Sequence, residues 1–136
     1  MRRMFWLFTA VALSACTTTP VPQADPRLAW VDLSTVSGKL VMADRLDDRR
    51  WPDGRYFQVT PGEHELIVRF DFEVYGGIGF NTDTFERKCY ITLRYEHFQA
   101  GQRYRVEARE IGLRPSARLY DSQRQIVAED SHINCL

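Results

Sequence analysis

From His64 to Tyr75 the chain reads HELIVRFDFEVY. Leu66, Val68, Phe70, Phe72 and Val74 fall on one face, and Glu65, Arg69, Asp71 and Glu73 fall on the other with Ile67. A period of two held over this length marks a half-buried strand and does not fit the 3.6-residue repeat of a helix. The pattern recurs in CYITLRYEHF (89–98), with Cys89, Ile91, Leu93 and Tyr95 inward, and in RYRVEARE (103–110), with Tyr104, Val106 and Ala108 inward. Shorter alternating runs are GKLVMA (38–43), RYFQV (55–59), ARLYD (117–121) and QIVAE (125–129). Turn chemistry separates them: Asp53-Gly54 and Pro61-Gly62 are turn dipeptides, and QAGQ (99–102) and DSQRQ (121–125) have the composition of hairpin connections,. Strands with one apolar face must cover it, so about seven of them predict an all-β domain, a single antiparallel β-sandwich. WVDLSTVSG (30–38) stands outside the pattern, and a short helical turn is expected there.

The first residues follow another pattern. Arg2 and Arg3 precede twelve uncharged residues, Met4 to Ala15, the layout of a secretory signal. As a helix this run would reach roughly 18 Å, well short of the ~30 Å hydrocarbon core, so it predicts an export segment and not a membrane span. Leu13, Ser14, Ala15 and Cys16 close the run, and this LSAC tetrad resembles the lipobox of bacterial lipoproteins at every position. The resemblance implies that the Cys16 thiol receives a diacylglyceryl group, that signal peptidase cuts after Ala15, and that the freed amine is acylated. Several acyl chains, at about 0.8 kcal/mol per buried methylene, make such an attachment effectively permanent. Thr17 stands where that family places an Asp for inner-membrane retention, which implies the periplasmic face of the outer membrane. The other reading of the same residues is an ordinary secretory cut with Cys16 incidental.

TTTPVPQADP (17–26) holds three prolines and no apolar period, so it reads as an extended tether spanning up to about 30 Å. The expected layout is a signal peptide at 1–15, the lipidated Cys16 and tether at 16–26, and one β-sandwich domain at 27–136. The chain has 18 basic and 18 acidic residues; loss of Arg2 and Arg3 with the signal would leave 16 against 18, a net charge of −2. That balance offers no basic face for nucleic acid.

Cys89 and Cys135 remain beside Cys16. An oxidising compartment makes a disulfide between them the expectation; two free thiols and a bond between chains are the alternatives the sequence leaves open.

Candidate chemistry is sparse. His64, His97 and His132 lie far apart without zinc-ligand spacing,, so neither a metal nor another cofactor is expected. Asp44, Asp47, Asp48 and Asp53 crowd one loop, but Arg45, Arg49 and Arg50 are interleaved with them and oppose the field a calcium ion needs. GGIGFN (76–81) lacks the Lys-Ser/Thr of a phosphate loop,. Gly76, Gly77, Ile78, Gly79 and Phe80 read instead as a mobile hairpin tip or bulge, on which Ile78 and Phe80 could contact a partner or ligand. No Gly-x-Ser-x-Gly elbow occurs,, so catalysis is not expected, and a hydrolase would have to assemble around one of the three histidines through the fold.

A second resemblance covers Val59 to Glu129. VTPGEHELIVRF, then CYITLRYEHFQAGQRYRVEA, then ARLYD and IVAE are similar to stretches of small uncharacterised Gram-negative lipoproteins. In those, Pro-Gly-x-His opens a long strand and Ala-Gly-x-x-Tyr joins two more; Pro61, Gly62, His64, Ala100, Gly101 and Tyr104 match here. The resemblance implies a β-sandwich lipoprotein and supplies no activity. The expectation is therefore an outer-membrane-anchored periplasmic domain, bound to the bilayer through Cys16, that binds or supports an envelope protein. A small-molecule or glycan-binding module is the alternative, with Trp51, Tyr56 and Tyr75 as stacking surfaces.

Overall fold

The computed structural model describes residues 14–76 and 83–136, and among these every regular element is a strand. In chain order they are β1 (Ala29–Ser34), β2 (Leu40–Leu46), β3 (Arg49–Arg50), β4 (Tyr56–Val59), β5 (Gly62–Gly76), β6 (Asp83–Phe98), β7 (Arg103–Ile111), β8 (Arg114–Tyr120) and β9 (Ile126–Cys135). Hydrogen bonds join them in the order β3-β2-β5-β6-β9-β8-β7-β1-β4. The series is open, and its edges are short: two residues in β3 and four in β4. Brevity at an edge limits pairing with other chains. The series folds over at β9, so that β2, β5 and β6 share one core with β1, β4, β7 and β8.

The alternation reports the inner faces faithfully. Leu66, Val68, Phe70, Phe72 and Val74 are each no more than 5 % exposed, as are Cys89, Ile91, Leu93, Tyr104, Val106 and Ala108. Asp71 departs from its place on the polar face. It is buried, and Arg69 Nε and Nη2 both donate to its carboxylate.

Three features differ from the sequence reading. First, 30–38 holds no helical turn: β1 occupies most of it, with Ala29 and Val31 in the core. Its alternation is masked because Trp30 takes an outward position, where Tyr56 stacks on it at 4.3 Å between ring centroids. β1 and the two-residue β3 bring the count to nine. Second, the sheet is not wholly antiparallel, because β1 pairs antiparallel with β4 but parallel with β7. Third, Gln99–Gln102 is not a hairpin, since β6 and β7 are not neighbours in the sheet. It carries the chain from one half of the fold to the other.

β9 belongs to both halves. Its first residues pair with β8, up to Arg118 opposite Glu129, and its later ones pair with β6, from Leu93 opposite Asp130 to Cys89 opposite Cys135. Extra residues at Val127 and Ser131 break the two ladders, and such bulges bend a strand enough to change sheets. Where β9 leaves β8 the next β8 amide loses its strand partner. Asp130 Oδ1 takes it instead, accepting from the buried Ala117 N–H at 3.1 Å. The Cys89–Cys135 disulfide closes the far end of β9. Leu136 N–H donates to Lys88 C=O at 2.9 Å, so the two cysteines face each other at a non-hydrogen-bonded position, where side chains come closest.

Candidate functional site

The residues named from sequence scatter over the molecule. Cys16 is a free, exposed cysteine on a segment without strand structure. That segment touches the domain where Arg55 Nη1 donates to Thr19 C=O and Asp25 N–H donates to Gln58 Oε1, both at 2.9 Å. Of the hairpin tip, Gly76 ends β5, whereas Gly77, Ile78, Gly79 and Phe80 lie outside the described residues. Among the described residues no helix is long and apolar enough to cross a membrane.

The three histidines do not converge. His97 and His132 are exposed on β6 and β9. His64 follows the Pro-Gly turn and clasps it: Nδ1 lies 2.5 Å from Asp47 Oδ2, and Nε2 lies 2.7 Å from the Thr60 carbonyl oxygen and 3.0 Å from its hydroxyl. An acid, a histidine and a hydroxyl thus stand in line. A general base, however, needs a lone pair aimed at the proton it removes, and Nε2 faces the turn's own carbonyl. Asp47 also accepts the Glu65 N–H at 2.9 Å. Partial burial opposes ionisation of its carboxyl, but that hydrogen bond and His64 outweigh it and hold the group below its ordinary value.

Asp44 and Asp53 of the acidic loop pair with nearby arginines, while Asp47 turns to His64 and Glu65. Asp44 lies 3.7 Å from Arg45 and 3.9 Å from Arg50, and Arg55 pulls the Asp53 carboxyl down to about 2 through side-chain and backbone hydrogen bonds. Among the described residues no three His, Cys, Asp or Glu side chains gather as metal ligands would.

The aromatic residues do not form one platform. Tyr75 is exposed near the end of β5. Tyr56 spends one ring face on Trp30, and Trp51 stands edge-on to Tyr56 at 6.2 Å and packs on the core. Trp51 Nε1 is buried with no acceptor.

What the fold leaves in water at one end is a set of apolar side chains on several faces: Leu40 and Tyr75 point outward from one half, Ile111 points outward from the other, and Phe85 lies on the inner face of its hairpin. Six of the nine exposed large hydrophobic residues among those described are Val36, Leu40, Tyr75, Phe85, Ile111 and Leu113. They sit on the β1–β2 connection, the start of β2, the outer part of the β5–β6 hairpin and the β7–β8 turn. Lys39 Nζ to Glu110 Oε2 at 2.7 Å and Thr35 Oγ1 to Ala108 C=O at 2.9 Å tie the first of these to the last. Leu40 lies opposite Asp71, and a hollow of about 270 Å³ between Gly38, Lys39 and Phe72 joins β2 to the hairpin. The chain enters β1 at the other end, where Leu28 C=O accepts the Gly101 N–H at 2.9 Å.

The β7–β8 turn is unusual. Ile111 pairs with Arg114, leaving Gly112 and Leu113 as a two-residue loop with φ of +57° and +67°, the sign pattern of a type I′ turn. Asn or Gly suits such positions, and a leucine held there costs of order 1 kcal/mol. Leu113 is nonetheless 48 % exposed and its neighbour Ile111 73 %. Sequence reasoning missed this site because Ile-Gly-Leu-Arg looks like a strand end; Gly112 was the available signal.

No protein family, curated protein or solved structure matches the chain.

Proposed function

We propose that this protein is an outer-membrane lipoprotein, anchored through acylated Cys16, whose periplasmic β-sandwich docks an envelope protein on the apolar end that holds the β1–β2 connection, Tyr75 of β5, Phe85 of β6 and the β7–β8 turn. The observation that carries the docking role is Leu113. A half-exposed leucine in a left-handed turn is unfavourable for backbone and solvent alike, and a bound partner would give that side chain a use. The anchor is supported by the LSAC tetrad and by the exposure of Cys16. The chain enters the domain at the end remote from the apolar surface, which leaves that surface free to meet a partner.

Cells fed a palmitate analogue should label the wild-type chain and not Cys16→Ala; a labelled mutant would overturn the anchor. A photo-crosslinker in place of Ile111 should capture one envelope protein, identifiable by mass spectrometry. The same probe at Arg49, on the β3 edge, should not. Leu113→Asn suits the left-handed turn, so it should leave the melting temperature unchanged or raised while removing most of the crosslink. An undiminished crosslink in that variant would sink the docking role.

A further inference from the structure

The outer face of β1, β7 and β8 carries a groove of about 490 Å³ that runs along β7 as far as Arg109, two residues short of Ile111. Its charges are built by alternation: Arg103, Arg105, Glu107 and Arg109 point outward from β7 while Tyr104, Val106 and Ala108 fill the core. Four arginines line the groove, Arg103, Arg105, Arg109 and Arg124, against Asp32, Glu107 and Asp121. In a chain whose mature charge would be −2, this is a local positive excess.

Most of these charges are spent on one another. Arg103 donates to Asp32 from Nε at 2.7 Å and Nη2 at 3.1 Å, and its guanidinium lies 5.5 Å from the Trp30 ring centre. Partial burial works against ionisation of Asp32, but hydrogen bonds from Arg103 and Trp30 prevail, with the positive charges of Arg103 and, less strongly, Arg105 beside them, and hold its carboxyl low. Arg109 pairs with Glu107 at 3.2 Å. Asp121 Oδ1 is taken by the backbone N–H groups of Gln123 and Gln125, both at 2.9 Å.

Arg105 and Arg124 are left. Among the described residues neither guanidinium has a carboxylate within ion-pair distance or a hydrogen-bonded side chain. Arg105 lies between Asp32 and Tyr120 across the strands. Arg124 sits in the β8–β9 turn at φ +61°, a left-handed position that glycine would occupy at lower cost.

We propose that this groove binds a phosphate group, gripped by the guanidinium groups of Arg105 and Arg124. The planar fork of arginine matches phosphate oxygens two at a time, and the paired Arg103 and Arg109 keep the walls fixed without competing for the ligand. The phosphate comes from a phospholipid headgroup or from a soluble phosphate. The groove begins beside the chain's entry into the domain, since Ser122 Oγ donates to Gln102 Oε1 at 3.4 Å and Gln102 C=O accepts the Trp30 N–H at 3.0 Å.

The test uses the full mature chain, isotope-labelled to follow the Nε–H signals of Arg105 and Arg124. One arm titrates inorganic phosphate into protein held in a phosphate-free detergent; the other places the protein in phosphatidylglycerol nanodiscs. Saturable shifts at both arginines in the first arm identify a soluble phosphate, and shifts confined to the second identify a headgroup. Arg105→Gln and Arg124→Gly should each weaken binding about tenfold or more, while Arg49→Gln combined with Arg50→Gln leaves it unchanged. Arg124→Gly relieves a left-handed backbone, so its loss of binding cannot be ascribed to unfolding. Signals that stay put in both arms, or variants that bind as tightly as wild type, overturn the proposal. The detergent arm needs neither the bilayer nor the apolar end, so its failure is separate from any failure of the docking role.

Discussion

Phe70→Ala should destabilise the domain by roughly 3–5 kcal/mol, the cost of removing a buried ring and leaving the space unfilled. Phe70 is 0 % exposed in the middle of β5, between Val41 of β2 and Cys89 of β6, and its ring packs on Phe72 at 5.2 Å between centroids. Neither neighbour can move into the gap, because β5 is paired on both sides there. Set against a typical stability of about 5–15 kcal/mol, the loss is severe, and thermal unfolding should move down by roughly 15 °C. Glu73→Ala, on the exposed face of the same strand, should change stability by less than about 0.5 kcal/mol. A near-neutral Phe70→Ala beside a damaging Glu73→Ala would mean that β5 is out of register by one residue.

Reduction of Cys89–Cys135 should lower the melting temperature by a similar amount. The bond joins residues 46 apart, and closing a loop of that length removes about 4 kcal/mol of unfolded-chain freedom in the entropy model. Its place adds a second effect. Among the described residues β9 alone pairs with both β6 and β8, and its bond to β6 lies at the last residue of the strand, where pairing opens most readily. Reduction should therefore loosen Asp130–Cys135 before it disturbs β5 or β7. Hydrogen exchange would show this as faster amide exchange at Asn134 and Leu136, which face β6, with Val68 and Val106 still protected. Equal melting curves with and without thiol, at confirmed reduction, would contradict both effects.

The two results depend on different kinds of information. Phe70 was readable as core from five alternating apolar positions, since burial on one face of a strand is a local property of the chain. The pairing of Cys89 with Cys135 was an expectation from compartment alone, and it needed β6 and β9 to become neighbours. His64 shows the boundary within one residue. Its contact with the turn at Thr60 follows from a spacing of four residues, whereas its contact with Asp47 depends on how the β2–β3 turn meets β5. For the proposed sites, QAGQ reads like a hairpin although it crosses between halves, and Arg105 reads like any other outward residue until its neighbours are known.

By itself the sequence determined an all-β chain, the inward faces of β5, β6 and β7, and the turn chemistry between strands. Each of these arises from residues within a few positions of one another, where steric period and backbone preference act. Only the tertiary structure decided the strand order, the parallel pairing of β1 with β7, the passage of β9 between halves and the burial of Asp71. It also decided which arginines find carboxylates and which apolar side chains stay in water. Those outcomes are set by contacts between residues far apart in the chain, and alternation says which way a side chain points without saying what it will meet.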